Sequence, residues 1–182
     1  HGISYALGVI DVSPLDMASA YGVFAARGMR ASPTPILKVN DSEGRALEDN
    51  SRPRAERVLE EVVADNVTDV LRGVITSGTG GRADIGRPAA GKTGTAQAYR
   101  DAWFVGYTPT LSTSVWIGNA EKPTPLQNIR GVRNVAGGTI PAQTWRDFMA
   151  PAVKDVPVTD FSEPAPIKPL ADALKRKARG DI

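Results

Sequence analysis

Between Val12 and Gly28 the apolar residues Met17, Ala20, Tyr21 and Phe24 recur at i, i+3, i+4 and i+7, which predicts an amphipathic helix. Ser13 suits its N-cap, Pro14 its first turn, Asp16 its positive end and Gly28 its C-cap. The following "PILKVNDSEGRALE" sets two short apolar stretches around an Asp-Ser-Glu-Gly turn, the pattern of a β-hairpin. From Glu56 to Thr76, Val58, Val62, Val63, Val70, Leu71, Val74 and Ile75 return at mostly helical spacing. A polar break over Asn66 to Asp69 leaves open whether this is one helix or two.

"SGTGGRADIGRP" packs four glycines and a proline into twelve residues and predicts an irregular loop. In "DAWFVGYTP", Trp103, Val105 and Tyr107 alternate with Ala102, Phe104 and Gly106, and "STSVWIGNA" is β-branched and aromatic. The short "TPTL" between them makes these an antiparallel pair. A last helix is expected in "GGTIPAQTWRDFMAPAV", with Pro141 near its start and Ile140, Trp145, Phe148 and Met149 as its apolar face. After Val156, four prolines in thirteen residues and then charges read as a tail, so residues 1–156 are expected as the domain and 157–182 as a Pro-rich, basic end. No internal repeat appears.

Composition narrows the chemistry. The 182 residues suffice for one domain with a core, and 41% hydrophobic with 23% charged residues is ordinary for a globular chain. A net charge of +2 gives no case for a nucleic-acid partner. Its basic excess is partly local, in Lys168, Lys175, Arg176, Lys177 and Arg179, read as a solvated end. With no cysteine there is no thiolate nucleophile or Cys-zinc site, and the single histidine, His1, is read as a chain-edge residue. No metal or cofactor is expected. No run of about eighteen apolar residues occurs. "HGISYALGVI" reads as mid-domain sequence, so the chain is expected to be a piece of something longer.

One stretch, "GRPAAGKTGTAQ", admits two chemistries. Gly86 with Gly91-Lys92-Thr93 fits G-x-x-x-x-G-K-[ST], the loop that cradles nucleotide phosphates, which requires a helix to begin at the lysine. A glycine and two β-branched residues follow Lys92, and the next periodic segment is a strand, which argues against that helix. The other reading is a K-T-G element on an extended edge, with Lys92 and Gly94 on one side and Thr93 and Thr95 on the other. Such an edge can pair with an extended peptide, and glycine at 94 permits close approach.

Five ordered blocks carry a resemblance: "GVIDVSPLDMASAYGVFAARG", "PTPILKV", "GVITSGTGGRADIGRPAAGKTGTAQAYRDAWFVGYTP", "VWIGN" and "GGTIPAQTWRDFM". Together, over roughly Gly2 to Val153, they resemble the C-terminal half of the transpeptidase domain of class A penicillin-binding proteins. The resemblance implies an α+β fold, β-lactamase/transpeptidase-like, with an antiparallel sheet flanked by helices. It implies a serine acyltransferase that cross-links peptidoglycan stem peptides and is acylated by β-lactams, on the extracytoplasmic face of a bacterial membrane, with a membrane anchor in the full-length protein. It also assigns roles. Lys92 supplies positive charge beside the nucleophile, the Thr93 and Thr95 hydroxyls hold the substrate carboxylate, and the Thr95 N–H is one oxyanion donor. Gly94 with Gly78, Thr79 and Gly80 shapes the approach.

Plainer readings stand beside these. Lys92 could simply blunt an edge strand. Asp101 is expected to be a turn former rather than a base, and Trp103, Trp116 and Trp145 core residues rather than sugar platforms.

The family's nucleophile lies in S-x-x-K, and none of Ser4, Ser13, Ser19, Ser32, Ser42, Ser51, Ser77, Ser112, Ser114 and Ser162 has lysine three residues on. None has asparagine two residues on, as the second element (S-x-N) needs. The chain is therefore expected to be inactive alone and to need a complementary N-terminal polypeptide bearing both elements. Its alternatives are a truncated gene product or a stand-alone D-Ala-D-Ala peptide-binding module without catalysis.

Overall fold

The computed structural model describes residues 10–166. In chain order these form α1 (Pro14–Ala25), β1 (Met29–Ala31), β2 (Lys38–Asn40), β3 (Ala46–Asp49), β4 (Ala55–Arg57), α2 (Glu61–Thr76), β5 (Ala90–Thr95), β6 (Asp101–Tyr107), β7 (Ser112–Gly118), β8 (Gln127–Ile129), β9 (Val132–Asn134) and α3 (Ile140–Ala152). The central sheet is β5-β6-β7, antiparallel throughout, and three two-stranded ribbons surround it. The expected α+β class and antiparallel sheet between helices hold. His1 and the basic cluster Lys168 to Arg179 lie outside the described residues.

The α1 caps follow local chemistry. The Ser13 side chain accepts from Asp16 N–H, and Pro14 occupies the first turn, where its missing N–H costs nothing. At the far end Ala26, not Gly28, is the C-cap. Arg27 takes the left-handed conformation (φ 52°) and Gly28 follows at φ 90°. Arg27 N–H bonds Phe24 O and Gly28 N–H bonds Val23 O, the crossed pair that satisfies the last free carbonyls of a helix. Any side chain at Gly28 would collide with the Leu59 carbonyl.

The segment α2 is one uninterrupted helix, so the break over Asn66–Asp69 does not exist. Its inward face is Ala64, Asp65, Thr68, Leu71 and Ile75, at helical spacing but with two polar members. Both are satisfied: Arg27 grips Asp65 through two bonds of 3.0 and 2.8 Å, and the Thr68 hydroxyl pairs with Tyr107 Oη at 2.9 Å. Polar residues with partners read as a gap in an apolar pattern. Val70, placed on the apolar face by that pattern, is exposed.

The register sorts the sheet faces. Tyr107 and Ala90 meet Leu71, Tyr21 and Phe24 on the α1/α2 side. Phe104 meets Trp145, Met149 and Val153 on the α3 side, with ring centroids of Phe104 and Trp145 5.3 Å apart. Trp145 Nε1 donates to Gly106 O and Thr113 O, so α3 is bonded to the sheet as well as packed on it. Phe148 projects outward at 54% exposure and is not part of the apolar face. Ala20 is likewise exposed. Trp103 and Trp116, expected in the core with Trp145, are only half-buried and lie against each other.

Residues 157–166 have no regular secondary structure yet pack back on the domain. Phe161 sits edge-on to Tyr107 at 5.6 Å, and the Arg72 guanidinium lies over the Phe161 ring. Asn66 Nδ2 donates to Ala165 O, and Arg72 pairs with Asp160.

Candidate functional site: the lysine edge strand

Lys92, Thr93, Gly94 and Thr95 are the last four residues of β5, the outer strand of the central sheet among the described residues. No helix starts at Lys92. The strand runs on to Thr95, a short 3-10 turn at Gln97–Tyr99 follows, and β6 begins at Asp101. That is not the strand–loop–helix setting that wraps amides around a phosphate.

The register fixes where each group points. Lys92 pairs with Val105 and Gly94 with Trp103, while Thr93 pairs with Phe104 and Thr95 with Ala102. Paired residues share a face, so Lys92 and Gly94 lie on the α1/α2 side and the two threonines on the α3 side. Ala96 N–H donates to Asp101 O at 2.9 Å. In an antiparallel ladder the bonded positions fall at every second residue, so Gly94 and Lys92 spend their backbone groups on β6. Thr93 and Thr95 turn theirs to the open edge. Lys92 Nζ donates to the outward Thr93 carbonyl at 2.9 Å, which holds the ammonium at that edge.

Thr79 joins the site from the loop after α2: its Oγ1 is 2.7 Å from Thr93 Oγ1. Gly78 and Gly80 allow that approach. A Cβ at Gly78 would come within 2.8 Å of Val74 Cα, and one at Gly80 within 3.0 Å of the Phe104 ring. The Gly78-Thr79-Gly80 segment therefore meets the lysine strand. Beneath the start of β5, Ala90 rests on Tyr107, whose hydroxyl burial pushes up to about 12 despite its bond to Thr68.

Asp101 accepts from Trp116 Nε1 at 2.9 Å, a structural bond across β6 and β7. The role of Gly137 and Gly138 went unread in the sequence. Gly137 N–H donates to Thr95 Oγ1 at 3.1 Å, and Gly138 lies directly over the Thr79 carbonyl. The legible signal was two adjacent glycines before a helix start, which alone says only "turn".

An open β-edge with a lysine ammonium, two hydroxyls and outward N–H groups presents donors whose chemistry suits an anionic, extended peptide. Comparison with known proteins gives the chain its family. A family model described as "Penicillin binding protein transpeptidase domain" matches residues 2–150. The chain belongs to this transpeptidase family. Among penicillin-binding relatives, it is 40% identical over 167 residues to penicillin-binding protein 1A of Mycolicibacterium smegmatis, covering 88% of this chain and 21% of the relative. It is 38% identical over 162 residues to penicillin-binding protein 1A of Aquifex aeolicus, with the same coverage. It thus spans about a fifth of the length of the curated relatives it matches.

Among solved penicillin-binding proteins, PonA1 of Mycobacterium tuberculosis superposes with a TM-score of 0.81 at 34% identity, covering 90% of this chain and 44% of that one. The same protein in complex with penicillin V gives 0.80. Penicillin-binding protein 1A of Haemophilus influenzae gives 0.74 at 26% identity, over 88% of this chain and 29% of that one.

Proposed function

We propose that this chain supplies the carboxylate-binding wall of a peptidoglycan D,D-transpeptidase. The supporting observation is the Lys92–Thr95 edge, with its ammonium held at the rim and the Thr95 N–H facing outward. An extended stem peptide ending in D-Ala-D-Ala lies along β5 as an added strand. Lys92 and the hydroxyls of Thr93 and Thr95 hold its terminal carboxylate, and Gly94 with Gly78-Thr79-Gly80 shapes the approach.

A serine outside this sequence, in S-x-x-K, attacks the penultimate carbonyl. The Thr95 N–H stabilises the developing oxyanion; losing one such donor in other enzymes costs about 10²–10³ in rate. The bond to the last D-alanine breaks, and that residue leaves with a proton as a free amino acid. An amine from a neighbouring strand then attacks the acyl-enzyme, forms the cross-link and returns the proton to the serine. A β-lactam acylates the same serine and stays attached. In this reading the chain alone has no acyltransferase activity. Its partners are stem peptides, β-lactams and the polypeptide bearing S-x-x-K and S-x-N, in a membrane-anchored protein on the extracytoplasmic face of a bacterial plasma membrane.

The test is to label the full-length protein with a fluorescent penicillin and map the modified residue by peptide mass. The label is expected on a serine of S-x-x-K, outside this sequence. A label on one of the ten serines here, or none anywhere, contradicts the reading.

A further inference from the structure

We infer that Gly137 is a positioning residue for substrate selection: its amide fixes the Thr95 hydroxyl as a donor and so tunes the site to a carboxylate. This rests on the proposed reading of β5 as the carboxylate grip.

A threonine hydroxyl carries one proton to give and lone pairs to receive with. Gly137 N–H donates to Thr95 Oγ1 at 3.1 Å. With one of its two lone pairs engaged by an amide fixed in the backbone, the hydroxyl keeps its proton and a single lone pair for the open edge, which tilts it towards donating. That favours an acceptor, an anionic carboxylate oxygen above all, over an amine or an amide N–H.

Only glycine permits this contact. Residues 94 and 103 are paired and both point to the α1/α2 side, so the α3 side of the sheet is bare backbone at that point. Gly137 fills the gap. A Cβ there would collide with the Trp103 carbonyl oxygen and lie 2.6 Å from Gly94 O and 2.7 Å from Gly94 N. The next residue is equally constrained, since a Cβ at Gly138 would collide with the Thr79 carbonyl. A side chain at 137 must lift this turn off β5 and withdraw the amide from Thr95.

The amide is held from behind. Thr139 Oγ1 donates to Ala136 O at 2.7 Å and accepts from Ala136 N–H at 3.0 Å, closing the turn on itself. Ala142 N–H donates to Gly137 O at 3.1 Å, which ties the glycine into the first turn of α3. Trp145, fully buried, anchors α3 to the sheet. The position of the Gly137 amide is thus set by the core, not by the substrate.

The test compares second-order acylation rates of the full-length protein with benzylpenicillin and with its methyl ester, which lacks the anionic carboxylate. The wild type is expected to prefer the acid, and Gly137→Ala to reduce that preference about tenfold, the scale of one hydrogen bond to a charged group. A merely structural glycine would slow both probes equally and leave the ratio unchanged. In a Thr95→Val background, Gly137→Ala is expected to leave the ratio where Thr95→Val put it.

If Gly137→Ala does not fold, Thr95 carries the test. Thr95→Ser is expected to keep both the preference and the slow hydrogen exchange of the Gly137 amide, and Thr95→Val to lose both. A Gly137→Ala or Thr95→Val protein with the wild-type preference overturns the inference, as does a wild type indifferent to the ester. A wild type that neither probe acylates sinks the transpeptidase reading itself, and the inference with it.

Discussion

Thr79 Oγ1 and Thr93 Oγ1 lie 2.7 Å apart, joining the loop after α2 to the lysine strand by a side-chain bond fourteen residues long in sequence. Of the two hydroxyl protons, one is spent inside the pair and the other remains available to an acceptor. Replacing Thr79 by valine keeps the shape and removes the partner. We expect a stability loss of about 1 kcal/mol, the net worth of an ordinary hydrogen bond, and a larger fractional loss in the rate of penicillin labelling. Thr79→Ser is expected to keep both. Thermal melts and labelling time courses on the full-length protein check this.

Arg27 holds the nearly buried Asp65 with two bonds and also reaches Glu61 at 3.1 Å. Removing it leaves Asp65 without its cation inside the α1/α2 junction. By contrast, Arg30 and Glu56 sit 4.0 Å apart on the surface, where such pairs contribute little. Arg27→Ala is expected to lower the melting temperature clearly, and Arg30→Ala to leave it nearly unchanged. Equal effects would contradict the assignment.

Burial raises the Tyr107 hydroxyl to about 12, against an ordinary value of 10.0. The folded protein therefore keeps a proton that the unfolded chain gives up as pH passes 10. Stability from this group is fully present below pH 10 and is lost as pH rises towards 12. Tyr107→Phe is expected to flatten that decline, at the cost of leaving the Thr68 hydroxyl unpartnered. Denaturation midpoints measured from pH 9 to 12 decide it.

Phe161 lies beyond the apparent end of the domain yet covers Tyr107. Phe161→Ala is expected to cost about 1–2 kcal/mol, as a partly buried aromatic contact should. An unchanged melting curve would make residues 157–166 a passive tail after all.

Much of the fold was legible because the signals were local. Ser13, Pro14 and Asp16 announce α1, and alternating Trp103, Phe104, Val105 and Tyr107 announce β6. The hairpins at 38–49 and 101–118 follow from their turns. What sequence could not show depended on distant partners. The polar run Asn66 to Asp69 looks like a helix break until Thr68, within it, is seen to be buried against Tyr107. Phe148 fits a helical stripe but falls on its outer margin, where the sheet does not reach.

At the site, the lysine strand could be read because its motif is contiguous, whereas the Thr79–Thr93 bond could not, since glycine richness in the loop says only that it is irregular. Gly137 was equally invisible. It acts by having no side chain, forty-two residues away from the hydroxyl it holds.

The proposed carboxylate grip depends above all on the charge at position 92. The decisive measurement is the second-order rate of acylation of the full-length protein by a fluorescent penicillin, wild type against Lys92→Ala, with melting curves to show both are folded. We predict a fall of at least ~10-fold, the scale of one hydrogen bond to a charged group. A folded Lys92→Ala protein that labels at the wild-type rate would contradict it.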